Sequence, residues 1–168
     1  MTENSKAAAQ DSSQVDRHDR QLDALHRISQ VLSTVGAQRP MLAEVLDVLH
    51  TRLDLTRGTI MLLSPDGKEL SVEMAHSLFD RRNLSARVGV GEGITGRVVQ
   101  TGEPAIIPKV SQEPLFLDRI HRRRAISKEE ISFLCVPIAI GREVVGALSA
   151  DRIFDELLKL RLALSATR

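Results

Sequence analysis

This 168-residue sequence has few aromatic side chains and no excess of one charge. It has four Phe and no Trp or Tyr, and 23 basic residues balance 22 acidic ones for a net charge of +1. Sites for single-stranded nucleic acid stack bases on aromatic rings, and a polyanion is attracted by a net positive field. The composition therefore argues against nucleic-acid binding by this chain.

Cysteine is scarce as well, and a signal sequence and long apolar runs are lacking. Cys135 is the one cysteine, which excludes an internal disulfide, and a single thiol cannot by itself hold zinc or an iron–sulfur cluster. The first residues contain no apolar stretch of the kind found in signal peptides. The longest apolar run, residues 131–140, is about half a membrane span and contains Pro137. We expect a cytoplasmic protein with no membrane segment and no metal, in which Cys135 is buried and inert.

Hydrophobic patterning predicts one folded domain between two ends of different character. Residues 1–16 are predicted to be a disordered polar tail, residues 17–153 the domain, and residues 154–168 the start of a C-terminal linker helix. A first helix is predicted to carry Leu25, Ile28 and Leu32 on one face, and a second begins near Pro40.

Two hairpins follow these helices in the pattern. Residues 58–63 are a short apolar run, and the return strand that ends at residue 76 alternates in hydrophobicity. Residues 131–151 are almost continuously apolar, as strands in the middle of a sheet are. The return strand of the first hairpin is predicted to point one set of side chains to the buried side: Leu70, Val72, Met74 and His76. The order of elements predicts an α+β domain, with an antiparallel sheet and helices packed on a face.

Glycines at alternate positions, Gly89, Gly91 and Gly93, precede a short helical pattern. They permit a tight loop, and the free N–H groups at the start of the helix could receive an anion. The letters GEGITG match the G-x-G-x-x-G dinucleotide fingerprint, but the prolines that follow are incompatible with the parallel strand that it requires. The loop is then either a structural turn that packs the helix on the sheet or one wall of a ligand site.

A polar stretch, residues 110–130, separates the two halves of the sheet and contains Arg119, Arg122, Arg123 and Arg124. One interpretation is a solvated charge run. The other is a lid that brings a guanidinium to an acidic ligand, anchored by residues 115–117.

Five segments together resemble a GAF domain, and most closely the N-terminal regulatory GAF domain of NifA-type nitrogen-fixation activators. They are LHRISQVL, RGTIMLLSPDGKEL, VGVGEGITGRVVQTGEPAIIPKVSQEPLFLDR, SFLCVPI and VVGALSADRIFDE. The resemblance covers about residues 20–156. It implies an antiparallel sheet of about six strands, with the terminal helices on one face and a ligand pocket on the other.

The resemblance also implies domains that this sequence does not contain. These are an AAA+ ATPase that acts on the nitrogen-type sigma factor and a helix-turn-helix domain that binds DNA. Contacts with ATP, DNA and the sigma factor are expected only from those domains, because the G-x-x-x-x-G-K-[ST] phosphate loop is absent here.

The function implied by the resemblance is that of a regulatory sensor, not an enzyme. The NKFDE pattern of cyclic-nucleotide GAF domains is absent, and Lys109 stands where the family often has an acidic residue. Some relatives sense 2-oxoglutarate, which is the candidate effector; no other cofactor is expected. The candidate ligand contacts lie around the glycine loop and the nearby cations: His76, Gly93, Ile94, Thr95, Arg97, Lys109 and Arg119.

No catalytic residue is predicted, since Cys135 has no resolving partner in the sequence. The alternative to a sensor is a ligand-free interaction domain. In that case the stripe of Leu25, Ile28 and Leu32 pairs with its copy in a homodimer, or a regulatory partner protein supplies the signal.

Overall fold

The structure is a computed structural model that describes residues 2–33, 37–76, 85–117 and 131–153. Within these residues the helices are α1 (Thr2–Ser33), α2 (Gln38–Leu53) and α3 (Gly93–Thr101), and Val110–Gln112 forms a turn of 3₁₀ helix. The strands are β1 (Thr56–Leu63), β2 (Glu69–Ala75), β3 (Arg87–Gly89), β4 (Ala105–Ile107), β5 (Ile131–Ile140) and β6 (Glu143–Ile153). They form one antiparallel sheet in the order β3-β2-β1-β6-β5-β4. The predicted α+β class and six-stranded antiparallel sheet are confirmed.

The sheet buries a different set of side chains on each face. On the α3 face, Met61 and Leu70 pack with Val98 of α3. On the α2 face, Ile60 packs with Leu46 and Leu49 of α2. Because the central strands are covered on both faces, β1 has four consecutive buried residues, which explains why its sequence is apolar without alternation.

Helix α1 packs on α2 as an antiparallel pair. Ala24 and Val31 are buried in the contact, and the ion pairs Arg27–Glu44 and Asp23–Arg52 bridge the two helices. Helix α1 begins at Thr2 and so runs through most of residues 1–16, where polar composition predicts disorder. The run of alanines at residues 7–9 has the highest helix propensity of any residue type. Residues 154–168, the predicted linker helix, lie outside the described residues.

None of the helices in the described part of the chain combines the length and the apolar composition required to cross a bilayer.

A bulge in β2 reverses the faces that alternation predicts for the end of this strand. Ile60 pairs with Met74 but Met61 pairs with Val72, so Glu73 is an extra residue in β2. After the bulge Met74 packs on the α2 face, whereas Val72 packs on the α3 face. The prediction that Leu70, Val72, Met74 and His76 share one face is therefore wrong for the last two.

A buried ion pair fixes the start of β1 against the end of β6. Arg57 has a positive φ of 50° and lies in a register shift between β1 and β6. Its Nη1 donates a 3.0 Å hydrogen bond to Oδ2 of Asp151, and the two side chains are only 11% and 0% exposed. Asp151 pairs across the strands with Phe133, which places the ion pair on the α3 face.

Breaking this ion pair should destabilise the fold strongly. Asp151→Asn removes the carboxylate charge from a pair that is almost completely buried, which costs about 3–5 kcal/mol of unfolding free energy. Urea unfolding followed by far-UV circular dichroism measures the loss. The matched control is Glu69→Gln, which breaks the Arg87–Glu69 pair; both of its side chains are about half exposed, so a loss of about 0–1 kcal/mol is expected. Equal losses for the two variants would contradict the assignment.

Candidate functional site

The glycine loop holds α3 against the sheet through one very close approach. A Cβ on Gly96 would lie 2.2 Å from the carbonyl oxygen of Gly89, so glycine is required there. The loop also closes on itself: Gly91 N–H donates to the carbonyl of Gly96 at 2.9 Å. The carboxylate of Glu92 accepts from Gly89 N–H at 2.8 Å. Residues 89–92 therefore form the structural turn. The carboxylate of Glu92 belongs to this turn and lies at the start of α3.

The N–H groups that remain for a ligand belong to the first turn of α3. Gly93, Ile94 and Thr95 occupy positions whose N–H groups have no acceptor within the helix. They line a cavity of about 30 Å³ together with side chains from β3, the glycine loop, β5 and the segment after the 3₁₀ turn: Val88, Glu92, Phe116, Leu117 and Phe133. This volume has room for about two or three water molecules, since a water needs roughly 10–15 Å³ measured this way.

A covering segment, defined here as residues 113–117, closes this cavity. Phe116 packs edge-to-face on Phe133, with ring centroids 5.1 Å apart. The Cδ1 atom of Leu117 lies 2.7 Å from where a Cβ on Gly93 would be. Leu115 N–H donates to the carboxylate of Glu113 at 3.0 Å, which shapes the turn. The predicted anchoring of this segment falls mainly to Phe116, because Leu115 and Leu117 are still 42% and 41% exposed.

A larger cleft of about 240 Å³ lies beside α3 and β4. Its rim carries Arg97, Glu103 and Glu113, and its floor is mostly apolar: Ile94, Val98, Pro104, Ala105, Ile107 and Leu115, with Thr101 beside them. Ile94 lines both the cleft and the small cavity. The two openings therefore adjoin each other at the first turns of α3.

The structure brings together four of the seven predicted ligand contacts. Gly93, Ile94 and Thr95 line the cavity and Arg97 lines the adjoining cleft. Lys109 is half-buried directly before the 3₁₀ turn and lines neither opening. Arg119 lies outside the described residues.

His76 lies on the α2 side, away from the cavity, because the bulge at Glu73 reverses the face. Its ring contacts that of His50 on α2, with centroids 4.7 Å apart, and its Nε2 is 4.0 Å from Oδ1 of Asp47. The predicted place of His76, on the same strand face as Leu70, is therefore wrong. Burial lowers the pKa of His76, the charge of His50 lowers it further, and Asp47 offsets part of the shift.

Cys135 is fully buried on the α3 face, as predicted. Burial raises the pKa of its thiol to about 12, and a hydrogen bond from Thr95 offsets only part of the shift. Thr95 thus both lines the cavity and forms a hydrogen bond with the Cys135 thiol. Sequence reasoning missed this contact and the Arg57–Asp151 pair near Phe133, because both join residues that are far apart in the chain.

No three His, Cys, Asp or Glu side chains are grouped to hold a metal ion anywhere in the ranges that the structure describes.

The fold is that of a known class of domain. The sequence model of the GAF domain matches residues 39–164, and the chain belongs to the GAF domain family. Two solved structures show the same fold. The A. aeolicus nlh2 GAF domain in an inactive state is 24% identical, with a TM-score of 0.74, over 89% of this chain and 90% of that one. Free methionine-R-sulfoxide reductase from Neisseria meningitidis is 20% identical, with a TM-score of 0.62, over 85% and 81%.

The particular relatives are regulators of nitrogen fixation. Nitrogen fixation protein VnfA of Azotobacter vinelandii is 36% identical over 145 residues, which are 83% of this chain and 27% of that protein. The Nif-specific regulatory protein of Herbaspirillum seropedicae is 38% identical over 132 residues, 79% of this chain and 24% of that protein. The chain thus spans about a quarter of the length of these curated relatives.

The thiol of Cys135 should be unreactive in the folded protein. With a pKa of about 12, only roughly one thiol in ten thousand is ionised at pH 8, and the thiolate is the reactive form. A disulfide reagent that releases a coloured thiol should label the native protein at least about 100-fold more slowly than the protein unfolded in guanidinium chloride. Stoichiometric labelling of the native protein within minutes would show that Cys135 is accessible.

The stability of the domain should fall when the pH falls below about 6.5. The pKa of His76 is lowered in the folded state from its ordinary value of 6.5, so the unfolded chain binds more protons in the window just below 6.5, and acid favours unfolding. We expect the urea midpoint to decrease from pH 7.5 to pH 5.5, and to decrease less in His76→Gln. His26→Gln, which changes an exposed histidine on α1, is the control; a decrease in His76→Gln as large as in the wild type contradicts the role of His76.

Proposed function

We propose that this chain is the regulatory domain of a NifA-type transcriptional activator, and that it binds a small metabolite and controls an AAA+ domain elsewhere in the full-length protein. The observation that supports this is the identity of 30–38% to VnfA, AnfA and Nif-specific regulatory proteins. These relatives are about four times as long as the matched region, which leaves room for the domains that the signal would reach.

A non-catalytic role is part of this proposal. The fold is also that of a reductase, but fold alone does not carry function. Catalysis by a cysteine requires a thiolate, and the pKa of Cys135 at about 12 leaves almost none at neutral pH.

The proposed effector is a dicarboxylate, for which 2-oxoglutarate is the test ligand. One carboxylate would bind the N–H groups of Ile94 and Thr95 at the start of α3, where the helix dipole favours negative charge. The other would bind the guanidinium of Arg97, one turn along the helix. Lys109 and Arg119 remain predicted contacts.

Binding at this place requires the covering segment to move. The cavity of about 30 Å³ is roughly a tenth of the volume of an ordinary ligand pocket, and Leu117 fills the space above Gly93. Displacing Leu115 and Leu117 would join the cavity to the adjoining cleft. Ligand binding would thereby change the contacts of the covering segment with α3. A neighbouring domain that binds the closed and the open arrangement of this segment with different affinity would respond to that change.

Titration calorimetry with 2-oxoglutarate tests the proposal. We expect saturable heat with the wild type, and Arg97→Ala should weaken binding at least about tenfold, or 1.4 kcal/mol, by removing a charge-assisted hydrogen bond. Arg142→Ala is the matched control, since it removes the same charge at the exposed β5–β6 turn and should bind as the wild type does. No heat at millimolar ligand would remove 2-oxoglutarate as the effector.

The second candidate function is an interaction domain without a ligand. The exposure of apolar side chains along α1, among them Leu22 and Leu25 at 64% and 65%, favours it. The two functions are compatible, because the covered helix start and the exposed helix lie on opposite faces of the sheet.

A further inference from the structure

The cleft beside α3 and β4, here called the α3–β4 cleft, is already formed while the covering segment is closed. Its volume is about 240 Å³, compared with about 30 Å³ for the cavity under the covering segment. Pockets for drug-sized ligands occupy about 300–1,000 Å³, so the cleft has the size for a smaller metabolite. Glu113 and Leu115 of the covering segment form part of its wall. A ligand in this cleft would therefore contact the covering segment in its closed position.

The floor of the α3–β4 cleft is apolar. Helix α3 contributes Ile94 and Val98, which are buried, and β4 contributes Ala105 and Ile107, which are half-buried. An apolar group that lies on such a surface leaves water, which is favourable roughly in proportion to the area covered. The floor thus favours a ligand with an apolar body.

Three charged side chains surround this floor: Arg97, Glu103 and Glu113. None of them forms an ion pair with another residue in the described part of the chain. Glu113 uses its Oε1 atom to accept Leu115 N–H at 3.0 Å, which leaves its Oε2 atom for a ligand. A ligand in the cleft thus meets both signs of charge, as two carboxylates and one guanidinium.

The end of α3 fixes the backbone of Glu103 relative to that of Arg97. Gly102 ends the helix with a φ of 72° and donates its N–H to the carbonyl of Val98 at 2.9 Å. The hydroxyl of Thr101 accepts Glu103 N–H at 3.2 Å and donates to the carbonyl of Arg97 at 3.0 Å. The two opposite charges therefore start from backbone positions that are held together before any ligand binds, which lowers the entropy cost of binding.

One class of small molecule matches all of these features, namely an α-amino acid with an apolar side chain. Its carboxylate fits the guanidinium of Arg97 through two parallel hydrogen bonds. Its ammonium group has three donors and no acceptor, which suits the carboxylates of Glu103 and Glu113. In the closed cleft, a ligand with only anionic groups would meet these two carboxylates, and one with only cationic groups would meet the guanidinium. The arrangement thus favours a zwitterion.

We propose that the α3–β4 cleft binds the zwitterion of an apolar α-amino acid, and that this ligand holds the covering segment closed. The inference goes beyond the proposed effector, which binds under the displaced covering segment. Because the two ligands favour opposite positions of this segment and share Arg97, they would oppose each other. Binding of the amino acid is measured without 2-oxoglutarate, so failure of the effector and failure of this site are separate results.

Titration with L-leucine, followed by the two-dimensional NMR spectrum of the amide groups, tests the site in the whole chain. We expect a saturable shift of the amide signals of Thr101, Ile107 and Leu115, with a Kd at or below about 5 mM, which is ordinary for so small a ligand. No saturation by about 20 mM leucine overturns the proposal.

Two analogues keep the apolar body of leucine and lack one of its charges. 4-Methylpentanoate has no ammonium group, and 3-methylbutylamine has no carboxylate. Each should bind at least about tenfold more weakly than leucine, because each loses a charge-assisted hydrogen bond. An analogue that binds as tightly as leucine overturns the proposal, since the charges of the rim would then play no part.

Two variants assign the two ends of the ligand. Arg97→Ala should weaken leucine at least about tenfold and should not weaken 3-methylbutylamine. Glu113→Gln keeps an oxygen for Leu115 N–H; it should weaken leucine about three- to tenfold, because Glu103 remains, and should not weaken 4-methylpentanoate. Glu44→Gln, which removes a half-exposed carboxylate of α2 on the other face of the sheet, should bind leucine as the wild type does. Unchanged leucine binding in either Arg97→Ala or Glu113→Gln overturns the proposal.

Amide hydrogen exchange tests whether leucine holds the covering segment closed. Ile94 and Thr95 line the cavity under this segment, and their N–H groups have no acceptor within the helix, so they exchange when the segment opens. At a leucine concentration of about ten times its Kd, this exchange should slow about tenfold. The amides of residues 38 and 39, in the first turn of α2, are the matched control and should be unchanged. Unchanged or faster exchange at Ile94 and Thr95 overturns the closing role.

Discussion

The contact between Gly96 and Gly89 is the constraint on which the candidate site depends. No side chain fits between α3 and the carbonyl of Gly89, and this lets the helix settle on the sheet with Ile94 and Val98 buried. That position in turn brings Thr95 to the thiol of Cys135 and brings the first turn of α3 under Leu117. The site is thus a result of how closely a helix and a turn can approach, which depends on the absence of a side chain at Gly96.

Much of the fold could be predicted from the sequence because its signals are local. The helical spacing, the SPDG turn and the apolar run of β5 each depend on neighbouring residues. Because proline has no N–H to donate to a neighbouring strand, the proline in that run belongs at an unpaired or bulged place. Pro137 lies beyond the three residues of β5 that pair with β4, and the β5–β6 register shifts just after it, between Ile138 and Ala139. The glycine loop was recognised as a turn for the same reason.

The errors arose where one extra residue or a distant partner decides the outcome. Alternation in β2 is regular in sequence, yet the bulge at Glu73 moves Met74 and His76 to the other face, and nothing in the local pattern marks a bulge. Asp151 looks like the polar end of an apolar strand, but it is completely buried because Arg57 reaches it from the start of β1. In residues 2–16 of α1 the polar composition gave no sign of helix, and in the rest of α1 the pattern alone could not say which apolar residues α2 would cover.

The edge-to-face contact of Phe116 with Phe133 has a consequence for observing this protein. A chain with no Trp or Tyr is almost dark when excited at the wavelengths used for protein fluorescence. An indole introduced in place of the Phe116 ring would be the sole strong emitter. It would be buried against the ring of Phe133 when the covering segment is closed and exposed to water when the segment is open. The scarcity of aromatic residues that argues against one kind of ligand would thus make the proposed opening of this segment observable without any attached dye.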